Sequence, residues 1–241
     1  MKQETKLSQI REHIRAWNEV RQTESALHLI TSGYALEVSR GELQHWMSSN
    51  KEAPPTQIHL YLAKNAEGLL FYLVDATTDS SGDDSRYQLG RNLLEKRFHR
   101  FVTAGRRFPE RGIPNLKVPE SQMLESAFQW FLYAEYWFLK KQHEEGGPVQ
   151  VFRIPIDDFT AIFEEATVST AFLMFCLEDI EQEVEGTTVT FKDEISVFLC
   201  SRKTPEEGRI TDRDFVRIYT NVGVPTPPFP PATNQFGLLG S

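Results

Sequence analysis

Residues 36–47, LEVSRGELQHWM, and residues 152–163, FRIPIDDFTAIF, lie against each other without a gap. Leu36 matches Phe152, Val38 matches Ile154, Leu43 matches Phe159, Trp46 matches Ile162 and Met47 matches Phe163. Each stretch opens with the two-residue alternation of a strand and passes into the three-to-four-residue spacing of a helix. Ser39 and either Asp157 or Asp158 stand where a helix N-terminus wants an oxygen acceptor.

Working outward, each stretch is followed by two further strands. After the first come 57–63 (QIHLYLA) and 69–75 (LLFYLVD). They are joined through Asn65-Ala66-Glu67-Gly68, where Gly68 allows a positive φ. After the second come 171–177 and 195–201, joined by what reads as a long acidic loop. The order β-α-β-β therefore occurs twice, although almost no residue is shared. Agreement of order, length and apolar phase predicts an internal duplication. The expected fold class is α+β: two related β-α-β-β units, mainly antiparallel, packed around a central aromatic-rich helix.

That helix is 119–143, PESQMLESAFQWFLYAEYWFLKKQH. Pro119 suits its first turn, Lys140 and Lys141 suit the negative end of its dipole, and Gly146-Gly147-Pro148 stops it. Apolar residues cover well over half its circumference, so burial on more than one side is expected. Glu125, Gln129 and Glu135 interrupt it, which argues against a membrane span. Residues 4–24 form a narrower amphipathic helix with Leu7, Ile10, Ile14 and Trp17 on one stripe, expected to dock on its own domain. The organisation read from these patterns is an N-terminal arm (1–25), a first unit (26–76), a basic connector (77–118), the central helix (119–145), a second unit with a final strand (146–222) and a proline-rich tail (223–241).

The chain of 241 residues is 40% hydrophobic, carries a net charge of −8 and has two cysteines. These values fit a soluble core-forming protein and not a disulfide framework. No leader-type apolar segment opens the chain, so a cytoplasmic location is expected. Glycine-rich phosphate loops, a nucleophile elbow, paired metal-binding histidines and CxxC are all missing, so no cofactor or metal is expected. Asp75, Asp79, Asp83 and Asp84 are the one cluster of oxygen donors, better read as a solvated turn than as a cation site.

Charge is distributed unevenly. Between 91 and 111 seven Lys or Arg face two Glu, a net of +5, leaving −13 on the rest of the chain. Between 178 and 194 seven acids face one Lys, a net of −6. Such segments can orient an association that apolar burial holds. The expectation is a non-enzymatic protein-interaction or self-assembly protein using Glu181, Glu183, Glu185 and Phe229 of the tail. An alternative is a small-anion or phosphate site built from Arg97, Arg100, Arg106 and Arg107. A further alternative is a dispersed hydrolase or nuclease site joining Asp75 or Asp79 to His59 or His99. Membrane partners are not expected, and nucleic acid is disfavoured by the acidic remainder.

Overall fold

The computed structural model describes residues 2–33, 35–49, 55–98, 118–144, 146–164, 168–184, 187–203, 215–216, 224–226 and 236–239. The fold is α+β, with two antiparallel sheets and several helices. Helix α1 (Lys2–Val20) is followed by α2 (Glu24–Ile30), strand β1 (Ala35–Ser39), α3 (Arg40–Ser49), β2 (Gln57–Asn65), β3 (Gly68–Asp75), the single turn α4 (Ala76–Asp79) and β4 (Leu93–Lys96). The second half runs α5 (Val118–Gln142), β5 (Val151–Pro155), α6 (Ile156–Glu164), β6 (Val168–Val184), β7 (Thr187–Lys203), β8 (Phe215–Val216) and β9 (Val224–Thr226).

Local chemistry explains the boundaries. Ser39 and Glu42 form a reciprocal capping box at α3: the Ser39 amide donates to Glu42 Oε2 at 2.8 Å and the Glu42 amide donates to Ser39 Oγ at 3.3 Å. Gly68 takes φ +129° and closes the two-residue hairpin that pairs Asn65 with Gly68. Arg40 then ties the start of α3 to β6 by donating to the Val168 carbonyl at 2.7 Å and 3.1 Å.

Strand pairing crosses between the halves. One sheet has the order β1-β6-β7-β8, the other β4-β3-β2-β5-β9. β1 pairs with β6 so that Leu36 lies opposite Leu173, and β5 pairs with β2 so that Phe152 lies opposite Leu60. The inner faces of both sheets meet in one apolar cluster with α2, α3, α5 and α6. Phe175 sits at its middle, with ring centroids 4.8–6.0 Å apart linking the aromatic group around it: 6.0 Å to Phe71, 5.7 Å to Phe98, 5.6 Å to Trp130 and 5.7 Å to Phe152. A second apolar layer covers the outer face of β2 and β3. It consists of Leu7, Ile10 and Ile14 of α1 with Tyr61, Tyr72, Val74, Phe236 and Leu238.

Several expectations need correction. Residues 178–184 and 187–194 are strand and not loop: β6 and β7 continue as a pair of 17-residue strands as far as Val184 opposite Thr187. Their threonines and aliphatic residues favour strand despite the acid content, and alternation hides in a charge-rich segment. Within the basic connector, Leu93–Lys96 form the short strand β4, paired with β3. α2 was not anticipated. Among its described side chains, α5 is buried along one side only, with Phe131, Leu132, Tyr133, Tyr136 and Leu139 between 46% and 69% exposed. Met47 is also exposed, unlike its counterpart Phe163. Asp75 and Asp79 are fully buried, so only residues 80–86 of the segment after β3, with Asp83 and Asp84, form a solvated turn. Among the described residues no helix is long and apolar enough to cross a membrane.

Candidate functional site

The alternation of β2 places Ile58, Leu60 and Leu62 on its inner face and His59, Tyr61 and Ala63 on the outer one. The outer face meets α4. Asp75 starts this turn by accepting the Thr78 amide at 2.8 Å, and the turn delivers Asp79, fully buried, against His59 and Tyr61. His59 Nδ1 lies 2.6 Å from Asp79 Oδ2, the Tyr61 hydroxyl donates to the same oxygen, and the Tyr87 hydroxyl donates to Oδ1 at 2.9 Å. The fourth donor comes from the far end of the chain: the Leu238 amide reaches Oδ1 at 3.2 Å. A carboxylate has about four lone-pair sites, so Asp79 is saturated, and its acceptor role fixes the His59 proton on Nδ1. Burial, the Asp79 charge and the hydrogen bonds to it all push the Tyr61 and Tyr87 hydroxyls up, so both act as donors.

Asn92 completes the framework from β4's side. Its Nδ2 donates to Thr78 Oγ1 at 3.0 Å and to the Arg86 carbonyl at 2.8 Å, while its Oδ1 accepts the Gln88 amide at 2.7 Å. Phe236 closes the site from outside, with its ring centroid 4.7 Å from that of His59 and 6.3 Å from that of Tyr61. The arrangement organises and clamps. A saturated carboxylate covered by an aromatic ring has no face open to a substrate while the tail is docked.

The four acids of 75–84 do not converge on a cation. Asp75 and Asp79 have the roles just given, Asp83 accepts the Ser85 amide at 2.9 Å, and Asp84 forms a two-pronged pair with Arg11 at 2.6 Å and 2.8 Å. No group of side chains suited to a metal ion occurs among the described residues. Of the hydrolase candidates, His59 and Asp79 are brought together, Asp75 serves α4 instead, and His99 lies outside the described residues.

The anion-site candidates separate similarly. Arg97 pairs with Glu67 at 2.9 Å and Lys96 with Glu42 at 2.6 Å; Arg100, Arg106 and Arg107 lie outside the described residues. Lys96 and Arg97 line an open depression of about 330 Å³ with Glu37, Ser39, Glu42 and Phe98. Two acids offset the two bases there, so the described wall has no surplus charge for a phosphate. Burial alone would raise the Glu42 carboxyl, but Lys96 and Ser39 hold it below the usual range.

In the acidic segment, Glu181 and Glu183 belong to β6, and Glu185 and Phe229 lie outside the described residues. Glu194 is buried in an ion pair with Lys141 of α5, which also meets Glu144 at 2.6 Å. Lys192 pairs with Asp179 at 2.8 Å. Comparison with protein-family models, curated proteins and solved structures finds no match.

Among the described residues, a further surface feature is the outer side of α5. Trp130, Ala134, Trp137, Phe138 and Lys141 form its buried arc. At 100° per residue, Leu132, Tyr133, Tyr136 and Leu139 share the opposite arc with the exposed Lys140. Sequence reading missed this arrangement because a helix apolar all round is ordinarily buried all round.

Proposed function

We propose that the protein is a self-associating, non-enzymatic interaction protein whose contact surface is the outer arc of α5. The observation that carries this reading is the exposure of Leu132 at 51%, Tyr133 at 54%, Tyr136 at 69% and Leu139 at 46% on one face. Together they offer on the order of 400 Å² of largely apolar surface, a size typical of functional patches. A second copy is the occupant that the spacing favours. In an antiparallel pair centred on Tyr136, Leu132 comes within one residue's rise of Leu139 on the other copy. On the other flank Tyr133 comes equally near Lys140, a cation–π arrangement. Both contacts then occur twice, as two-fold symmetry requires.

The patch is about half of what one partner brings to a standard interface, so a micromolar dimer is the expectation. Sedimentation velocity of the full chain from 1 to 100 μM, concentrations of the order given by that expectation, tests it. Tyr136→Glu should weaken dimerisation at least tenfold. A monomer throughout, or a dimer indifferent to Tyr136→Glu, rejects the α5 surface.

The halves also read as related units that have exchanged their first strands. In support, Leu36 opposes Leu173 and Phe152 opposes Leu60, while the following hairpins set Leu60 opposite Leu73 and Leu173 opposite Leu199. The helix that follows the first unit is then the element left to present a surface of its own.

A further inference from the structure

The docked tail has the features of a ligand in a shaped site. Phe236 and Leu238 are each 3% exposed, and their rings and methyls complete the apolar layer between α1 and the outer face of β2. Between them, Gly237 passes so close to the Asp79 carbonyl and the Tyr87 hydroxyl that a Cβ would overlap both. The next amide is read by Asp79. An aromatic pocket, a position that admits only glycine, a buried acceptor for one N–H and a second apolar pocket together specify a sequence. These are the elements of extended-peptide recognition, with main-chain bonding for affinity and side-chain pockets for selectivity.

We propose that this cleft is a binding site for a Phe-Gly-Leu segment, filled by the chain's own tail and able to take the same segment from a second copy. Phe236 lies ten Cα–Cα steps beyond Thr226 of β9, a contour of up to roughly 33 Å. β9 and β2 are two strand spacings apart in the sheet, about 10 Å. The chain between them is thus several times longer than that lateral step, and docking in trans forms the same contacts as docking in cis. This proposal does not depend on the α5 surface.

The test uses the full-length chain carrying Gly237→Val, whose tail cannot enter its own cleft, and a fluorescent peptide of residues 232–241, ATNQFGLLGS. Anisotropy should show saturable binding to the variant. Peptides with Val for the glycine or Ala for the phenylalanine should bind at least tenfold more weakly. The unsubstituted chain should bind the peptide roughly 100-fold more weakly, because its tail competes at millimolar effective concentration against an affinity of about 10 μM. No binding to a folded variant, or binding indifferent to the peptide's Gly or Phe, overturns the site. The variant's fold is checked by circular dichroism, and hydrogen exchange on the unsubstituted chain supplies a readout that needs no substitution. There the Leu238 amide should exchange slowly, and an unprotected rate overturns the clamp.

The second-copy source is tested by native mass spectrometry. Gly237→Val and an isotopically labelled chain with the natural tail are mixed, both also carrying Tyr136→Glu to remove the α5 contact. At about 100 μM each, roughly one chain in ten should appear as a heterodimer, the ratio of concentration to a millimolar effective concentration. The signal should vanish when the donor carries Phe236→Ala. Absence of the heterodimer overturns exchange between copies even if the peptide binds.

Discussion

Replacing Asp79 by asparagine tests the buried network with almost no change of volume. The carboxylate accepts from His59, Tyr61, Tyr87 and the Leu238 amide. An asparagine keeps one acceptor oxygen and turns two N–H groups toward donors, so two of the four lose their acceptor. A buried donor left unpaired costs about 1–3 kcal/mol, and breaking a buried charged contact about 3–5 kcal/mol, so the substitution is expected to cost about 3–5 kcal/mol. In urea, with a slope of about 3 kcal/mol per molar, the midpoint should fall by roughly 1–1.7 M. Tryptophan fluorescence follows the global transition, and exchange of the Leu238 amide follows the tail. Tyr87→Phe should cost about 1–2 kcal/mol alone and less in the Asp79→Asn background, since both remove one contact. A loss under about 1 kcal/mol for Asp79→Asn, or additive losses in the pair, would refute the assignment of Asp79 as the shared acceptor.

Three other outcomes are expected. Phe175→Ala removes the ring that touches both sheets and α5, and should cost about 3–5 kcal/mol in the same urea assay. Glu42, held by Lys96 and Ser39, and Asp84, held by Arg11, have folded-state pKa values below the usual carboxylate range. Their stabilisation is present above a pH of about 4 and lost as pH falls through the lowered folded values, so melting temperature should drop more steeply there than in Glu42→Gln. Trp17→Phe removes the 3.0 Å bond from the indole Nε1 to the Val149 carbonyl, and its loss of about 1–2 kcal/mol should appear as a lower urea midpoint.

The elements with strong periodicity were legible from residues alone. Leu7, Ile10, Ile14 and Trp17 marked α1, all four are buried, and the 57–75 hairpin and the helix from 118 followed the same logic. Pairing between halves was not legible, since Leu36 fits the apolar edge of β6 or of β2 equally well in a pattern. The long strands β6 and β7 were hidden by acids that favour loops in general but lie within paired strands here. His59 and Asp79 were named as possible partners from residue type, whereas Tyr61, Tyr87 and Leu238 needed the fold to bring them together. One local signal could have pointed there: His59 and Tyr61 occupy the second face of a strand whose first face is wholly aliphatic, a sign of burial on both sides. The exposed side of α5 was invisible because hydrophobicity does not say which side of a helix the core will reach.

The crossed pairing of β1 and β6 also sets a timetable for synthesis. Leu36 must wait for Leu173, 137 residues later, before its sheet exists. A ribosome adding about 5–20 residues per second needs roughly 7–27 s to supply that partner. During that interval β1 has an unmatched edge and the β2–β3 hairpin lacks β5, so the nascent first half is exposed to strand addition by other chains. Cutting the gene between the halves would leave each product with a hairpin awaiting a strand encoded by the other, and co-expressed fragments should recover together or not at all.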